Sequence, residues 1–270
     1  MTHVRPQRFT AVVLAADRTP NDPVATAAQV PCKALARVGD RPMVFRVLDA
    51  LAASDQIDTC LLCGPPAAIV EREPLLQERL ASPKLTWLPP RATPSTSVSA
   101  ALAAAPAGNP QHVTTPDHAL LQPAMVVHFC RHALASDCDV VAALASYDQI
   151  MAHYPGMRRT RTRFREGGFC GCNLFAFLTP AGHRAANYWR RVENERKRPV
   201  KMLTELGWGV VLRYLLGRLS LSDALQHVSR RMGLRVGVVI MPFPEAAVDV
   251  DSVADWHAAG RIASRDEFRR

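Results

Sequence analysis

The sequence contains no apolar run that approaches the roughly 20 residues needed by a membrane-spanning helix. No long apolar stretch follows the charged residues 1–6, so we expect no signal peptide. The seven cysteines are odd in number, are scattered and often lie inside apolar runs, which is typical of reduced thiols in a protein core. We therefore expect a cytoplasmic protein with no transmembrane segment.

The cysteine spacing also argues against a thiolate metal site. Cys60 and Cys63 form a CxxC pattern within a predicted strand, where residues three apart point to opposite faces. Cys170 and Cys172 share one face of a predicted strand, but no second cysteine pair accompanies either motif. We expect core cysteines at these positions rather than zinc ligands.

Glycine is missing where a nucleotide-binding loop would usually have it. In "AVVLAADRTP", residues 11–20, the apolar residues 11–14 predict a buried strand, and Asp17 and Arg18 occupy the loop that follows. Phosphate-binding loops at this place normally contain glycines, so that backbone amides can surround the phosphates. The sequence has neither GxxxxGK[ST] nor GxGxxG after this strand, which excludes a P-loop NTPase and gives no support to a dinucleotide fold.

With 270 residues, 48% of them hydrophobic, the chain can build one large core. Up to about residue 150, strand patterns alternate with helix patterns, which predicts βαβ units around a mostly parallel, mixed sheet. We find no repeats, long linker or low-complexity tail, so we expect one α/β domain over 1–270, a Rossmann-like three-layer αβα sandwich. Its parts are residues 9–150, a helical elaboration within 151–235, and a final strand and helix within 236–270.

Two stretches depart from this alternation. Residues 17–40 contain several prolines, which predict a long loop. Residues 180–232 have helical patterns, with predicted breaks at Pro199, Gly207 and Gly217.

Basic residues outnumber acidic ones, which gives a formal net charge of +9. Positive charge suits anionic partners: nucleic acid, a nucleotide, a phosphorylated substrate or acidic lipid. Five basic residues crowd 158–165 and six crowd 190–201, although such runs are usually solvated faces. Residues 219–236 have some likeness to a helix-turn-helix but end in an apolar strand. A non-catalytic nucleotide- or nucleic-acid-binding protein is therefore one hypothesis.

Carboxylates follow two of the predicted strands. Asp117 follows the strand "HVTT", and Asp249 and Asp251 alternate in "VDVDS" after the last strand. The carboxyl ends of parallel strands face the ligand crevice, and period-two geometry puts Asp249 and Asp251 on one face. Mg²⁺ takes one or two carboxylates together with substrate phosphates, so these residues are candidate metal ligands. Alternatively, Asp117 stabilises a turn or caps the next helix, and Asp249 and Asp251 cap the last helix.

Four segments together resemble a known family. They are "AVVLAADR", "KALARVGDRPMVFRVLDAL", "VTTPDHALL" and "VDVDSVADW", spread over residues 11–256. Their order is similar to that in nucleotidyltransferases with a glycosyltransferase-A-like fold, and most of all in the MobA-like branch. That branch includes molybdenum-cofactor guanylyltransferases and small sugar- or alcohol-phosphate nucleotidyltransferases.

The resemblance implies an Mg²⁺-dependent nucleotidyltransferase. It would join an NTP to a small phosphorylated acceptor, such as a sugar, polyol or alcohol phosphate, and release pyrophosphate. Residues 9–150 would be the nucleotide-binding half, and residues 151–235 would bind the acceptor. Under this hypothesis the assigned roles are catalysis for Lys33, Arg18 and Asp117; nucleotide binding for Leu14, Ala15, Ala16, Asp17, Ser97 and Thr115; acceptor binding for Arg158, Arg161, Asn173 and Lys197; and metal binding for Asp117, Asp251 and Asp249.

The chain departs from the family pattern at the loop after the first strand. Asp17 stands where relatives have a glycine, Arg18 follows it, and Cys32 rather than proline precedes Lys33. We therefore expect the phosphate grip to depend on Arg18 and Lys33 more than on backbone amides. A molybdenum-cofactor guanylyltransferase-like enzyme is an alternative, although such relatives are shorter. No nucleic acid is expected as a partner, and peripheral membrane contact is expected only if the acceptor is lipid-linked.

Overall fold

The strands follow the apolar runs of the sequence. The computed structural model describes residues 7–186, 188–189 and 208–264. Its strands are β1 (Phe9–Leu14), β2 (Arg37–Val38), β3 (Arg41–Pro42), β4 (Ile57–Cys63), β5 (Leu85–Leu88), β6 (Gln111–Thr114), β7 (Val140–Ser146), β8 (Thr162–Phe164), β9 (Gly167–Phe177) and β10 (Val236–Met241). Every residue of β1 is buried, as expected of a central strand with helices on both faces.

Eight of the described strands form one sheet in the order β10, β7, β9, β6, β1, β4, β5, with β8 paired to β9 outside this path. β1 pairs in parallel with β4 and β6, β4 with β5, and β7 with β10. β9 runs antiparallel to β6 and β7. The predicted mostly parallel, mixed sheet is therefore confirmed. Because β1, β4, β6 and β7 share a direction, their carboxyl ends meet at one edge, where ligands bind in such sheets.

The helices cover both faces of this sheet. They are α1 (Pro23–Ala27), α2 (Met43–Ala52), α3 (Ala67–Val70), α4 (Pro74–Leu80), α5 (Pro94–Ala104), α6 (Pro123–Leu134), α7 (Tyr147–His153), α8 (Trp208–Leu215), α9 (Leu221–Met232) and α10 (Val253–Ala263). Side chains of α2 and α6 share one apolar cluster with Ala11 and Val13 of β1, whereas α5 shares another with Val12 and Leu14. Alternation along β1 thus separates two apolar layers, as in a three-layer αβα sandwich.

The cysteines are part of these layers. Cys60 belongs to the cluster that contains α2, and Cys63 to the cluster on the opposite face of the sheet. Cys170 and Cys172 lie together in the first cluster. All seven cysteines are free thiols, and burial raises the pKa of Cys63 to about 12. The expectation of core cysteines is confirmed.

A third apolar cluster fixes the C-terminal segment beside the turn after β6. Val248 and Val250 pack in it with Leu120 and with side chains of α10. The main-chain N–H of Val250 donates to the carbonyl oxygen of Asp117 at 2.9 Å. Packing and this bond therefore hold residues 249–251 next to Asp117.

Residues 17–40 are not the single long loop that their prolines predict. The carboxylate of Asp22 accepts the main-chain N–H of Val24 at 2.8 Å and caps α1. A 3₁₀ turn, Lys33–Leu35, follows farther along. A good N-cap with proline at the first helical position starts a helix even inside a proline-rich stretch.

The helical prediction for residues 180–232 is confirmed for α8 and α9, which are separated near Gly217 as expected. Pro199 and Gly207 lie outside the described residues. α9 contacts β10, so this helix packs on the sheet. Among the described residues, no helix has the length and apolar character to cross a bilayer.

Candidate active site

A cleft of about 850 Å³ lies at the carboxyl edge of the sheet. Strand order arranges its walls, because the loops after β6, β1, β4 and β5 follow one another across this edge and β9 closes one side. The lining includes Asn173, Phe175 and Trp189 on the β9 side; Thr114, Thr115, Asp117, Lys33 and Asp251 at the centre; and Leu14, Ala15, Ala16, Asp17, Arg18, Cys63, Arg91, Thr93 and Ser97 towards β5.

Asp117 stands at the centre of this cleft. Its Oδ2 lies 3.2 Å from Nζ of Lys33, and its Oδ1 accepts Nδ2–H of Asn173 at 3.1 Å. The hydroxyl of Thr115 also donates to Oδ1. The Asp117 side chain is 11% exposed, so these donors stabilise a carboxylate that has lost most of its water.

A β-bulge brings Asn173 to Asp117. In the ladder between β7 and β9, Ala142 pairs with Phe175 but Ala143 pairs with Cys172. Two residues of β9, Asn173 and Leu174, therefore lie between consecutive partners. Bulges of this kind redirect side chains beside active sites. Asn173, predicted to bind the acceptor, is held here by the central carboxylate.

Lys33 connects two carboxylates at the mouth of the cleft. Its Nζ lies 3.9 Å from Oδ1 of Asp251 in addition to its contact with Asp117. The Asp251 side chain is 66% exposed, so it is open to a ligand in the cleft. The structure thus brings together three of the residues assigned to catalysis and metal binding.

The loop after β1 is held by the side chain of Asp17 in place of a glycine-rich backbone. Both of its carboxylate oxygens accept the main-chain N–H of Lys33 at 3.1 Å. A side chain thereby fixes the 3₁₀ turn that carries Lys33. Burial raises the pKa of Asp17, while the bond from Lys33 opposes the rise. Arg18 lines the cleft and has no ion-pair partner among the described residues, so its guanidinium is free to bind an anion.

A buried polar group lies behind Asp117. His118 is fully buried and neither ring nitrogen has a hydrogen-bond partner among the described residues; burial lowers its pKa to about 4.

The guanidinium of Arg159 donates from Nη2 to the carbonyl oxygen of Asp249 at 2.8 Å. Together with the bond from Val250 to Asp117, this contact fixes the backbone that leads to Asp251.

Asp249 does not share the environment of Asp251. It is buried, it does not line the cleft, and its Oδ1 has no hydrogen-bond partner in the described part of the chain. Burial, followed by the nearby charge of Asp117, raises the pKa of Asp249 well above its usual range. The two aspartates thus differ in burial, although the charges of Asp251 and Lys33 also act on the pKa of Asp249. Their common face and the metal-binding role of Asp249 stay predictions.

The cleft offers carboxylates suited to Mg²⁺ without forming a complete cage. Asp117 and Asp251 both approach the ammonium of Lys33 within 4 Å. Within the described ranges, no group of three histidine, cysteine, aspartate or glutamate side chains is placed to hold a metal ion. This arrangement fits an ion that takes one or two carboxylates and completes its shell with phosphate oxygens and water.

The other assigned residues divide between the cleft and its surroundings. Ser97 lines the cleft and its Oγ accepts the main-chain N–H of Arg91 at 2.9 Å. Arg158 and Arg161 do not line it, and the guanidinium of Arg161 lies 4.8 Å from the ring centroid of Tyr147. The assigned nucleotide-binding residues all line the cleft, and Lys197 lies outside the described residues.

Two features of the site have no signal in the sequence: an aromatic wall formed by Phe175 and Trp189, and the contact of Arg159 with the backbone of Asp249. The rings of Phe175 and Trp189 lie 5.4 Å apart between centroids on the β9 side of the cleft. Phe175 follows the bulge, which no sequence pattern marks. Arg159 is one of five arginines in residues 158–165, and the sequence does not distinguish it from the others. Its contact with Asp249 does.

Comparison with known proteins agrees with this geometry. Residues 11–235 match the family model described as a MobA-like NTP transferase domain. The structure of a hypothetical transferase from Thermus thermophilus has 31% sequence identity and a TM-score of 0.76, with 92% of this chain and 99% of that chain covered. No curated protein sequence gives a significant match.

Two more distant structures share the fold. One is 4-diphosphocytidyl-2C-methyl-D-erythritol synthase from Anaerococcus prevotii, at 12% identity and a TM-score of 0.56, with 96% of this chain and 99% of that chain covered. The other is 2-C-methyl-D-erythritol 4-phosphate cytidylyltransferase from Thermus thermophilus, at 16% identity and a TM-score of 0.54, with coverages of 96% and 100%.

Proposed function

Since the chain belongs to the MobA-like NTP transferase domain family and is a nucleotidyltransferase, we propose that it joins an NTP to a small phosphorylated acceptor in an Mg²⁺-dependent reaction. An oxygen of the acceptor phosphate attacks the α-phosphorus. A new bond forms between these atoms, the bond from the α-phosphorus to the oxygen bridging it to the β-phosphorus breaks, and pyrophosphate leaves with that electron pair.

The contact of Lys33 with Asp117 and Asp251 carries this proposal. In the free protein the ammonium of Lys33 lies within 4 Å of both carboxylates and offsets one of their two negative charges. A bound triphosphate gives Lys33 a stronger anionic partner, and the carboxylates become available to a cation. Asp117 and Asp251 would hold Mg²⁺, which when bound offsets negative charge on the phosphates.

The remaining residues act by positioning and electrostatics. Arg18 supplies a second cation beside the triphosphate, and Asp17 holds the turn that carries Lys33. Thr115 and Asn173 orient the Asp117 carboxylate through their hydrogen bonds. Preorganised charges of this kind stabilise the transition state without reorganising during the reaction.

Strand order supports a division of the cleft. The β1, β4 and β5 side contains the backbone of residues 14–16 with Arg91 and Ser97, and we assign it to the nucleotide. The β9 side contains Asn173 and the aromatic wall of Phe175 and Trp189, and we assign it to the acceptor. The two cytidylyltransferase structures, which show the fold alone, put CTP and a polyol phosphate among the first substrates to test.

A pyrophosphate-release screen tests the proposal. Each common ribonucleoside triphosphate is paired with sugar, polyol and alcohol phosphates, with Mg²⁺ and with EDTA. We expect release with at least one pair, and loss of release in EDTA and in Asp117→Asn. Failure of every pair, combined with retarded migration of a nucleic-acid probe, would favour the non-catalytic alternative.

A further inference from the structure

Exposed apolar side chains are concentrated on one short segment. Leu212, Tyr214, Leu215 and Leu216 are 58, 39, 74 and 58% exposed. The other exposed large apolar side chains of the described surface are Leu75 on α4 and Ile240 on β10. Leu212, Leu215 and Leu216 are spaced i, i+3, i+4 and so lie on one face at the end of α8. We call these three leucines the α8 ridge.

The α8 ridge lies beside a basic hairpin. The main-chain N–H of Arg165 donates to the carbonyl oxygen of Leu219 at 2.9 Å, and that of Leu221 donates to the carboxylate of Glu166 at 3.0 Å. These bonds fasten the turn between β8 and β9 to the residues that follow the ridge. The basic hairpin, β8 and β9 with the turn between them, carries Arg163 and Arg165 at this end. Arg165 pairs with Glu166 at 3.8 Å, and exposed Arg163 leaves a net positive charge at the turn.

Charge also flanks the ridge on its own segment. Arg218 follows it, is exposed, and has no side-chain partner among the described residues. Arg213 lies within α8 and pairs with Asp223 at 2.6 Å. Tyr214 adds a ring with a polar end, a type of side chain favoured at the boundary between lipid and water. Contiguous apolar side chains rimmed by charge mark a contact surface rather than the ordinary scatter of exposed leucines.

We infer that the α8 ridge docks on an anionic membrane surface. The leucines would enter the boundary between headgroups and acyl chains, and the neighbouring arginines would face lipid phosphates. A second copy of the chain fits less well, because a two-fold interface would set Arg218 and the basic hairpin against their own equivalents. The net charge of +9 favours the anionic surface further.

β9 connects this surface to the cleft. The strand begins at the hairpin turn that is bonded to the ridge segment, and its Asn173 reaches Asp117. The distance along β9 from Gly167 to Asn173 is roughly 20 Å at the usual rise of a strand. If the proposed function holds, docking would favour an acceptor whose phosphate is carried by a membrane lipid. Docking itself does not depend on that activity.

Vesicle sedimentation tests the inference with the full chain. The probes are vesicles of phosphatidylcholine alone and of phosphatidylcholine with phosphatidylglycerol. We expect binding to the anionic vesicles that is at least about tenfold stronger and that weakens at high salt. L212S/L215S/L216S and the single variant Leu215→Ser should both reduce it, the triple variant about tenfold or more. Leu75→Ser, an exposed leucine on α4, is the matched control and should bind as the wild type does.

The other outcomes are decisive as well. No binding to either vesicle, equal binding to both, or unchanged binding by the triple variant would overturn the inference. A dimer in light scattering that the triple variant dissociates would assign the ridge to contact between copies instead. Pyrophosphate release from a soluble acceptor should continue at the wild-type rate in the triple variant, so failure of docking and failure of the proposed activity can be told apart.

Discussion

Replacing Asp117 with asparagine tests whether the Asp117 carboxylate acts in turnover or only stabilises the fold. Oδ1 accepts hydrogen bonds from Thr115 and Asn173, and Oδ2 contacts the ammonium of Lys33. Asparagine keeps one oxygen but replaces the other with an NH₂ donor. Whichever way the amide turns, a donor then faces a donor in a site from which water is largely excluded.

The expected cost can be worked from these contacts. Losing a hydrogen bond to a charged group costs about 1.5 to 3 kcal/mol. We expect the free energy of unfolding to fall by a similar amount, about 1.5 to 3 kcal/mol. Turnover should fall on the order of 10²-fold to 10³-fold or more, as for other preorganised electrostatic groups.

Asp139 provides the matched control, since it is a similarly buried aspartate at the amino end of β7. It accepts the hydroxyl of Thr179 and the main-chain N–H of Arg235, both at 2.8 Å. Asp139→Asn should lower the melting temperature at least as much as Asp117→Asn and leave the pyrophosphate-release rate of the folded protein unchanged. Wild-type turnover by Asp117→Asn, or lost turnover by folded Asp139→Asn, would refute the reasoning.

Three further expectations concern single contacts. Lys33→Met should weaken NTP binding about tenfold or more in a calorimetric titration, because it removes a charge-assisted contact, and unchanged affinity would contradict this. Arg159→Met should raise the Mg²⁺ concentration for half-maximal rate about tenfold by freeing the backbone of Asp249, whereas exposed Arg163→Met should not; equal shifts would exclude an anchoring role. Hydrogen bonds from Arg235 lower the pKa of Asp139 to about 2, so the ionised Asp139 stabilises the fold above about pH 4 and this stabilisation is lost as pH falls through 2. The acid-unfolding curve of Asp139→Asn should therefore lack this loss. A curve identical to that of the wild type would contradict the expectation.

The sheet and its edge could be predicted because the signals are local and repeated. Apolar runs such as β1 and amphipathic helices such as α2 recur in alternation, and parallel strands must bring their carboxyl ends together. The position of Asp117 after such a strand therefore predicts that it faces the cleft. The position of Lys33 near phosphates is implied only by the family resemblance, since a single lysine has no pattern of its own.

The rest depends on contacts that sequence spacing does not express. A bulge of two residues in β9 decides that Asn173 faces Asp117. A side chain, Asp17, replaces the backbone function of the missing glycine by holding the N–H of Lys33. Neither the bulge nor the Asp17 contact produces a periodic sequence pattern, because each depends on contacts between segments that are distant in the sequence.

Asp249 and Asp251 show most directly how burial changes a role inferred from spacing. Burial raises the pKa of Asp249 well above its usual range, so the folded protein holds that proton more tightly than the unfolded chain does. Its contribution to stability is therefore most favourable below about pH 4 and becomes steadily less favourable as pH rises towards the folded pKa. Asp249→Asn removes this dependence, and we expect a variant that is relatively more stable than the wild type at pH 8 than at pH 5.

The two substitutions should then affect stability and turnover in opposite ways. Asp251→Asn alters a side chain that is 66% exposed, so the free energy of unfolding should change by no more than about 0.5 kcal/mol, while turnover falls by orders of magnitude. Asp249→Asn should retain most of its turnover, because the Asp249 carboxyl does not line the cleft. Thermal unfolding at both pH values and pyrophosphate release at saturating Mg²⁺ measure these effects. If Asp249→Asn is inactive and its relative stability does not change with pH, then Asp249 is ionised and acts in the cleft, as its spacing from Asp251 predicts.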